Sequence, residues 1–176
     1  ETCAQTAKSK CGTLCDSKDD NCYHVVTGSG TDATAVLDGV TIALGQADDP
    51  TFPSEDFKGA GMYVQGGSPT IRNCLFRRND AYYQGGGLYV HTGNPQVIGC
   101  TFDDNRARNY LDAGAGSGGG AYVEAGNPSF IGCTFTANAV DLAGAGIYGS
   151  QVTGTIADCR FAGNFGSAIE CFGSSL

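Results

Sequence analysis

The stretch GCTFDDN at 99–105 returns as GCTFTAN at 132–138. Looser copies, NCLFRRN at 73–79 and DCRFAGN at 158–164, flank this pair. A cysteine, a phenylalanine two places on and an asparagine three beyond that therefore occur four times, with Cys74, Cys100, Cys133 and Cys159 spaced by 26, 33 and 26 residues. A second motif keeps step with the first: GAGMYV at 59–64, GGGLYV at 85–90, GGGAYV at 118–123 and GAGIYG at 144–149. One insertion around NYLDAGAGS at 109–117 accounts for the longer middle repeat. An earlier, divergent copy, LDGVTIALGQA at 37–47, aligns with IRNCLFRRNDA at 71–81, with Val40, Ile42 and Gly45 in place of Cys, Phe and Asn. Self-similarity at a near-fixed period is the signature of a repeat architecture.

Each unit offers short strand-like pieces, such as 87–90, 96–98 and 100–102, broken by Gly, Asn and Pro and never long enough for a helix face. A stack of parallel coils fits this pattern. In such a stack, matching residues lie above one another at the inter-strand spacing of roughly 4.8 Å, so each column must suit itself. The column Phe76, Phe102, Phe135, Phe161 and the column Ile71, Val97, Phe130, Ile156 are apolar throughout and point inward. The position after Cys holds Leu75, Thr101, Thr134 and Arg160 and faces out, as alternation requires. Cys74, Cys100, Cys133 and Cys159 then share the Phe side and read as buried free thiols rather than as metal ligands or disulfides, since one cysteine per coil is unlike a paired zinc motif. Asn79, Asn105, Asn138 and Asn164 close the strand. Asparagine tolerates left-handed backbone and can hydrogen-bond in a turn or along a column of stacked amides.

Composition bounds the rest. The chain has 176 residues, 28 glycines, no tryptophan and 41% hydrophobic residues, which suits one glycine-rich folded domain and not a helical bundle. The formal charge of -8 makes nucleic acid and anionic membrane surfaces poor partners. No apolar run is long enough to span a bilayer and no signal peptide stands at Glu1, so the reading is a processed, soluble chain or a segment of a longer one. Cys3, Cys11, Cys15 and Cys22 crowd a polar, non-repeating opening and are candidates for two disulfides in a cap over residues 1–22, with residues 23–176 forming the coils. Cys171 stands apart from both groups.

The pairing of GGGL at 85–88 with FDDN at 102–105 resembles the polymorphic outer-membrane protein repeat, and YHVVTGSGTDATAVLDGVTI at 23–42 is similar to the opening coils of bacterial right-handed parallel β-helix proteins carrying such repeats. The resemblance covers about residues 22–170. It implies a secreted or surface protein used in adhesion or surface structure, and it brings no catalytic residues.

Candidate chemistry is sparse. Arg77 and Arg78 fall in register with Asp103 and Asp104 of the next unit, which reads as charge pairing that fixes the stacking. His24 and His91 lack a recognisable nucleophile partner, and no cofactor or metal site is expected. Tyr63, Tyr89, Tyr122 and Tyr148 form an outward column beside the glycines, a possible platform for sugar rings or another protein, or simply a cover for the sheet. The expected molecule is a right-handed parallel β-helix of about five coils behind a short cysteine-rich cap. It would act as an extracellular or cell-surface structural or adhesive module, with a protein (itself included) or a glycan as partner. The alternative is a carbohydrate-binding or polysaccharide-cleaving β-helix. Ala168, Ile169, Glu170, Cys171 and Phe172 begin another coil and form the expected strand for end-to-end assembly.

Overall fold

The computed structural model describes residues 22–49, 55–109 and 116–173. Within them the chain winds into a parallel β-helix in which each of the first four coils gives one short strand to each of four sheets. Sheet A holds Val26–Thr27, Met62–Gln65, Leu88–Thr92, Ala121–Val123, Ile147–Ser150 and Ile169–Phe172. Sheet B holds Val36–Asp38, Thr70–Arg72, Gln96–Ile98, Ser129–Ile131 and Thr155–Ala157. Sheet C holds Thr41–Ala43, Leu75–Arg77, Thr101–Asp103, Thr134–Thr136 and Arg160–Ala162, and sheet D the four two-residue strands Gln46–Ala47, Asp80–Ala81, Arg106–Ala107 and Ala139–Val140.

The register is the one the repeat alignment gives. Phe102 pairs with Phe76 below and Phe135 above, and Ile42 of the divergent first copy pairs with Phe76. Val97 sits between Ile71 and Phe130. Both columns are buried up to the last coil, where Ile156 and Phe161 are half-buried, and Thr101 is half-exposed. The rings of Phe76, Phe102, Phe135 and Phe161 stack with centroids 4.5, 4.6 and 4.9 Å apart and planes within 8° of parallel. That separation is close to the rung spacing, so backbone pairing rather than ring preference sets it.

The asparagines do more than close strands. Nδ2 of Asn79, Asn105 and Asn138 donates to Oδ1 of the next asparagine at 2.9–3.0 Å, and Nδ2 of each of the four also donates to a carbonyl of the preceding coil. Each Oδ1 in turn accepts a backbone N–H from the coil before it. The left-handed position is one residue earlier than the sequence reading allowed: Arg78, Asp104 and Ala137 have φ of 53–54°, and Gly163 follows suit. The kink turns the asparagine side chain inward, where a ladder of this kind satisfies all its polar atoms.

The two motifs are coupled by contact. A Cβ added at Gly87 would lie 2.4 Å from the Gly120 carbonyl oxygen and 3.0 Å from Cδ1 of Phe102, so the glycine motif of a coil lies directly against its own phenylalanine. Gly85, at φ of 66°, curls the backbone over Cβ of Tyr89, 2.7 Å from where its own Cβ would be.

The proposed cap falls on residues 1–22, of which only Cys22 is described; Cys3, Cys11 and Cys15 lie outside the described residues. Cys22 is disulfide-bonded. Among the described residues no two cysteines are joined, and Cys74, Cys100, Cys133, Cys159 and Cys171 are free thiols.

Candidate functional site

The tyrosine column gathers ionisable groups on one face of sheet A. Alternation in sheet A sends Met62, Leu88, Ala121 and Ile147 to the core and Tyr63, Tyr89, Tyr122 and Tyr148 to the opposite face. The expected exposed platform is corrected here: Tyr63, Tyr89 and Tyr122 are only 6%, 0% and 7% exposed, and Tyr148 is half-buried. Gly85, Gly118 and Gly144 lie against Cβ of Tyr89, Tyr122 and Tyr148, and Glu55 and Lys58 lie over Tyr63 and Tyr89, so facing out of the barrel is not the same as facing water. The rings pack as a second hydrophobic cluster, separate from the barrel core.

Ionisable side chains surround this cluster. Tyr63 donates to Glu55 Oε2 at 2.6 Å, from the 3-10 turn Glu55–Phe57, and Lys58 Nζ lies 3.4 Å from Glu55 and 5.1 Å from the Tyr89 ring centroid. Tyr89 donates to Glu124 Oε2, which also accepts from His91 Nδ1 at 2.8 Å. His24 stacks on Tyr63 with centroids 5.0 Å apart; its Nδ1 donates to the Gly59 carbonyl at 3.1 Å and its Nε2 is 3.5 Å from Asp56. Burial, and then the bonded carboxylates, push the Tyr63 and Tyr89 hydroxyls well above the ordinary phenol range. Burial opposes ionisation of Glu124, but the Tyr89 and His91 hydrogen bonds outweigh it and hold the carboxyl below its usual value. Burial lowers His24 despite the nearby acids.

The sequence reading left both histidines without partners. The missed signal lay in the repeat alignment: YVH at 89–91 stacks on YVE at 122–124, so His91 and Glu124 share a face one rung apart. Glu55 carries no such signal, because it belongs to a segment outside the repeat.

The thiol column is internal. Cys74, Cys100 and Cys133 are buried and Cys159 half-buried, and each thiol has two backbone carbonyls within reach of its one proton, at 3.1–3.6 Å. The adjoining Cys133 thiol, and then burial, push the Cys100 thiol far above its ordinary range. On the outside, Arg77 and Arg78 pair with Asp103 and Asp104 at 3.4 and 3.3 Å, as the register required. Arg108 grips Asp80 with two nitrogens. Arg78, Asp104, Asp80, Arg106 and Arg108 line an open groove of about 320 Å³ beside sheet D. Among the described residues no group of three or more His, Cys, Asp or Glu could hold a metal ion, and no helix is long and apolar enough to cross a membrane.

Ala168 to Phe172 form the last described rung. Ile169 pairs with Ile147 but is 40% exposed where Ile147 is 1%, and Phe172 is 72% exposed.

The family model described as right handed beta helix region matches residues 27–176. No curated protein and no solved structure matches the chain. The parallel sheets, their register and this match agree, and the chain belongs to the right-handed β-helix family.

Proposed function

We propose that this right-handed β-helix is an extracellular structural or adhesive module, a stiff rod that presents its sides to a protein or glycan partner. The observation that carries the reading is the way its polar and aromatic side chains are used: amide, phenylalanine and tyrosine ladders all run from coil to coil. Interactions repeated along one axis stiffen that axis, as in other stacked-repeat proteins. The resemblance to the polymorphic outer-membrane protein repeat supports a surface setting, and the acidic charge argues against nucleic acid as partner.

Ile169, exposed in the column of the core residue Ile147, supports a further step, in which the strand Ala168 to Phe172 receives a parallel rung from a second copy. Such a contact joins unlike ends, so it is head to tail and can propagate. Sedimentation and electron microscopy of the chain over a concentration series test this. Rods that lengthen with concentration and shorten on Ile169→Lys support assembly. Particles of constant length, indifferent to that change, remove it and leave the rod itself to be judged by particle shape.

One observation favours a second reading, polysaccharide cleavage. Glu124 fixes Nδ1 of His91, a half-exposed side chain, in the manner of an oriented general base. Incubation with acidic and neutral polysaccharides distinguishes the two readings: new reducing ends or unsaturated products that disappear in His91→Ala favour the enzyme, and binding without product favours the adhesive module.

A further inference from the structure

The tyrosine file has a chemical capacity that neither a rod nor an adhesive surface uses. Tyr63, Tyr89, Tyr122 and Tyr148 stack with centroids 5.4, 5.5 and 5.1 Å apart and interplanar angles of 12–19°. The phenylalanine file in the core stacks just as regularly, but a phenyl ring has no acidic proton to release on oxidation. A phenol does, and one-electron oxidation becomes far easier when a base within hydrogen-bond reach takes that proton. Two of the four tyrosines have such a base: Glu55 at Tyr63 and Glu124 at Tyr89. These two rings are buried, whereas Tyr148 at the end of the file is half-buried and open to solvent.

We propose that the column is a one-electron relay. An outer-sphere one-electron oxidant takes an electron from the Tyr148 ring and is itself reduced by one electron. Electron transfer between stacked rings then moves the vacancy through Tyr122 to Tyr89 or Tyr63. There the phenolic proton passes to Glu124 or Glu55, leaving a neutral tyrosyl radical beside a protonated carboxyl; no other bond forms or breaks. Burial then protects the radical, since ring–ring coupling needs two rings to meet. Such a sink diverts oxidising equivalents from the free thiols of Cys74, Cys100 and Cys133 in the core.

The test is flash-quench oxidation with photogenerated tris-bipyridine ruthenium(III), followed by electron paramagnetic resonance and transient absorbance. The folded chain is expected to hold a tyrosyl radical that outlives the one formed in the same chain in denaturant. The Tyr63→Phe/Tyr89→Phe double variant keeps the ring stack but has neither phenolic proton, and it is expected to lose the long-lived signal and to accumulate dityrosine at Tyr148. Glu55→Gln/Glu124→Gln keeps all four phenols but lacks the proton acceptors, and its radical is expected to be short-lived; this variant also serves if the first fails to fold. A radical no longer-lived in the folded chain than in denaturant, or one unaffected by removal of either the phenols or the carboxylates, overturns the relay.

Discussion

Gly87 lies directly against the ring of Phe102, with 3.0 Å between Cδ1 and the place a Cβ would occupy, and this contact locks the glycine motif of a coil to its phenylalanine motif. The same Cβ would lie 2.4 Å from the Gly120 carbonyl of the next rung, and backbone cannot swing aside as a side chain can. Gly87→Ala should therefore destabilise the chain by about 1–3 kcal/mol, the usual range for overpacking. Gly132, left-handed but with open space around its Cα, sits where another repeat carries Asn73. Gly132→Asn should stay within about 0.5 kcal/mol of wild type. Denaturant titrations of the two variants check the contrast.

Asn105 offers the sharpest test of the amide ladder. Asn105→Leu keeps the branched shape but strips partners from the Asn79 backbone N–H, the Asn79 amide and the Phe76 carbonyl, all in the interior. At about 1–3 kcal/mol for each stranded buried group, the loss should reach roughly 3 kcal/mol or more. The half-buried Asn164, at the far end of the ladder, should cost less when changed in the same way. Equal losses at both positions, measured by urea unfolding, would show that the ladder is not what stabilises the turn.

The inside–outside assignment predicts a steep local difference. Phe102→Ala opens a gap in the middle of the ring stack and should cost about 3–5 kcal/mol, whereas Thr101→Ala next to it should be nearly silent. Unfolding midpoints of the pair decide it.

The cysteine column should betray its burial to alkylating reagents. In native protein Cys171 should react at once and Cys159 next, while Cys74, Cys100 and Cys133 should wait for denaturant and then react without prior reduction. Peptide mapping by mass spectrometry reads the order. Recovery of Cys74 linked to Cys100 would overturn the free-thiol column.

His24 gives a pH dependence whose sign follows from burial. Its folded-state pKa is below the ordinary imidazole value, so near and below about pH 6.5 the unfolded chain binds more protons than the folded one. Stability should thus fall on acidification from about pH 7.5 to 5.5, before most carboxylates titrate. His24→Gln keeps a donor for the Gly59 carbonyl and should flatten the slope. Urea midpoints across that window that run parallel in the two proteins would remove His24 as the cause.

The repeat by itself determined the coil, its register and the inward columns. In a parallel stack every position meets its own copy one rung away, so the character of a column, Phe throughout or mixed, reports its side directly. Even the divergent rung at 37–47 was legible, because Ile42 still fills the phenylalanine column and pairs with Phe76. Three things needed the tertiary structure. The left-handed residue at the turn proved to be Arg78, Asp104 or Ala137 rather than the asparagine after it, because only the inward path of the amide ladder fixes which residue must kink. The tyrosine column proved covered, because alternation along a strand gives the side of a sheet but not which groups pack against that side, here the motif glycines, Glu55 and Lys58. Tyr63 found Glu55, in a segment outside the repeat, and Tyr89 found Glu124 two positions further along the next rung, because a hydrogen bond between unlike positions depends on how side chains of different columns and segments come to rest.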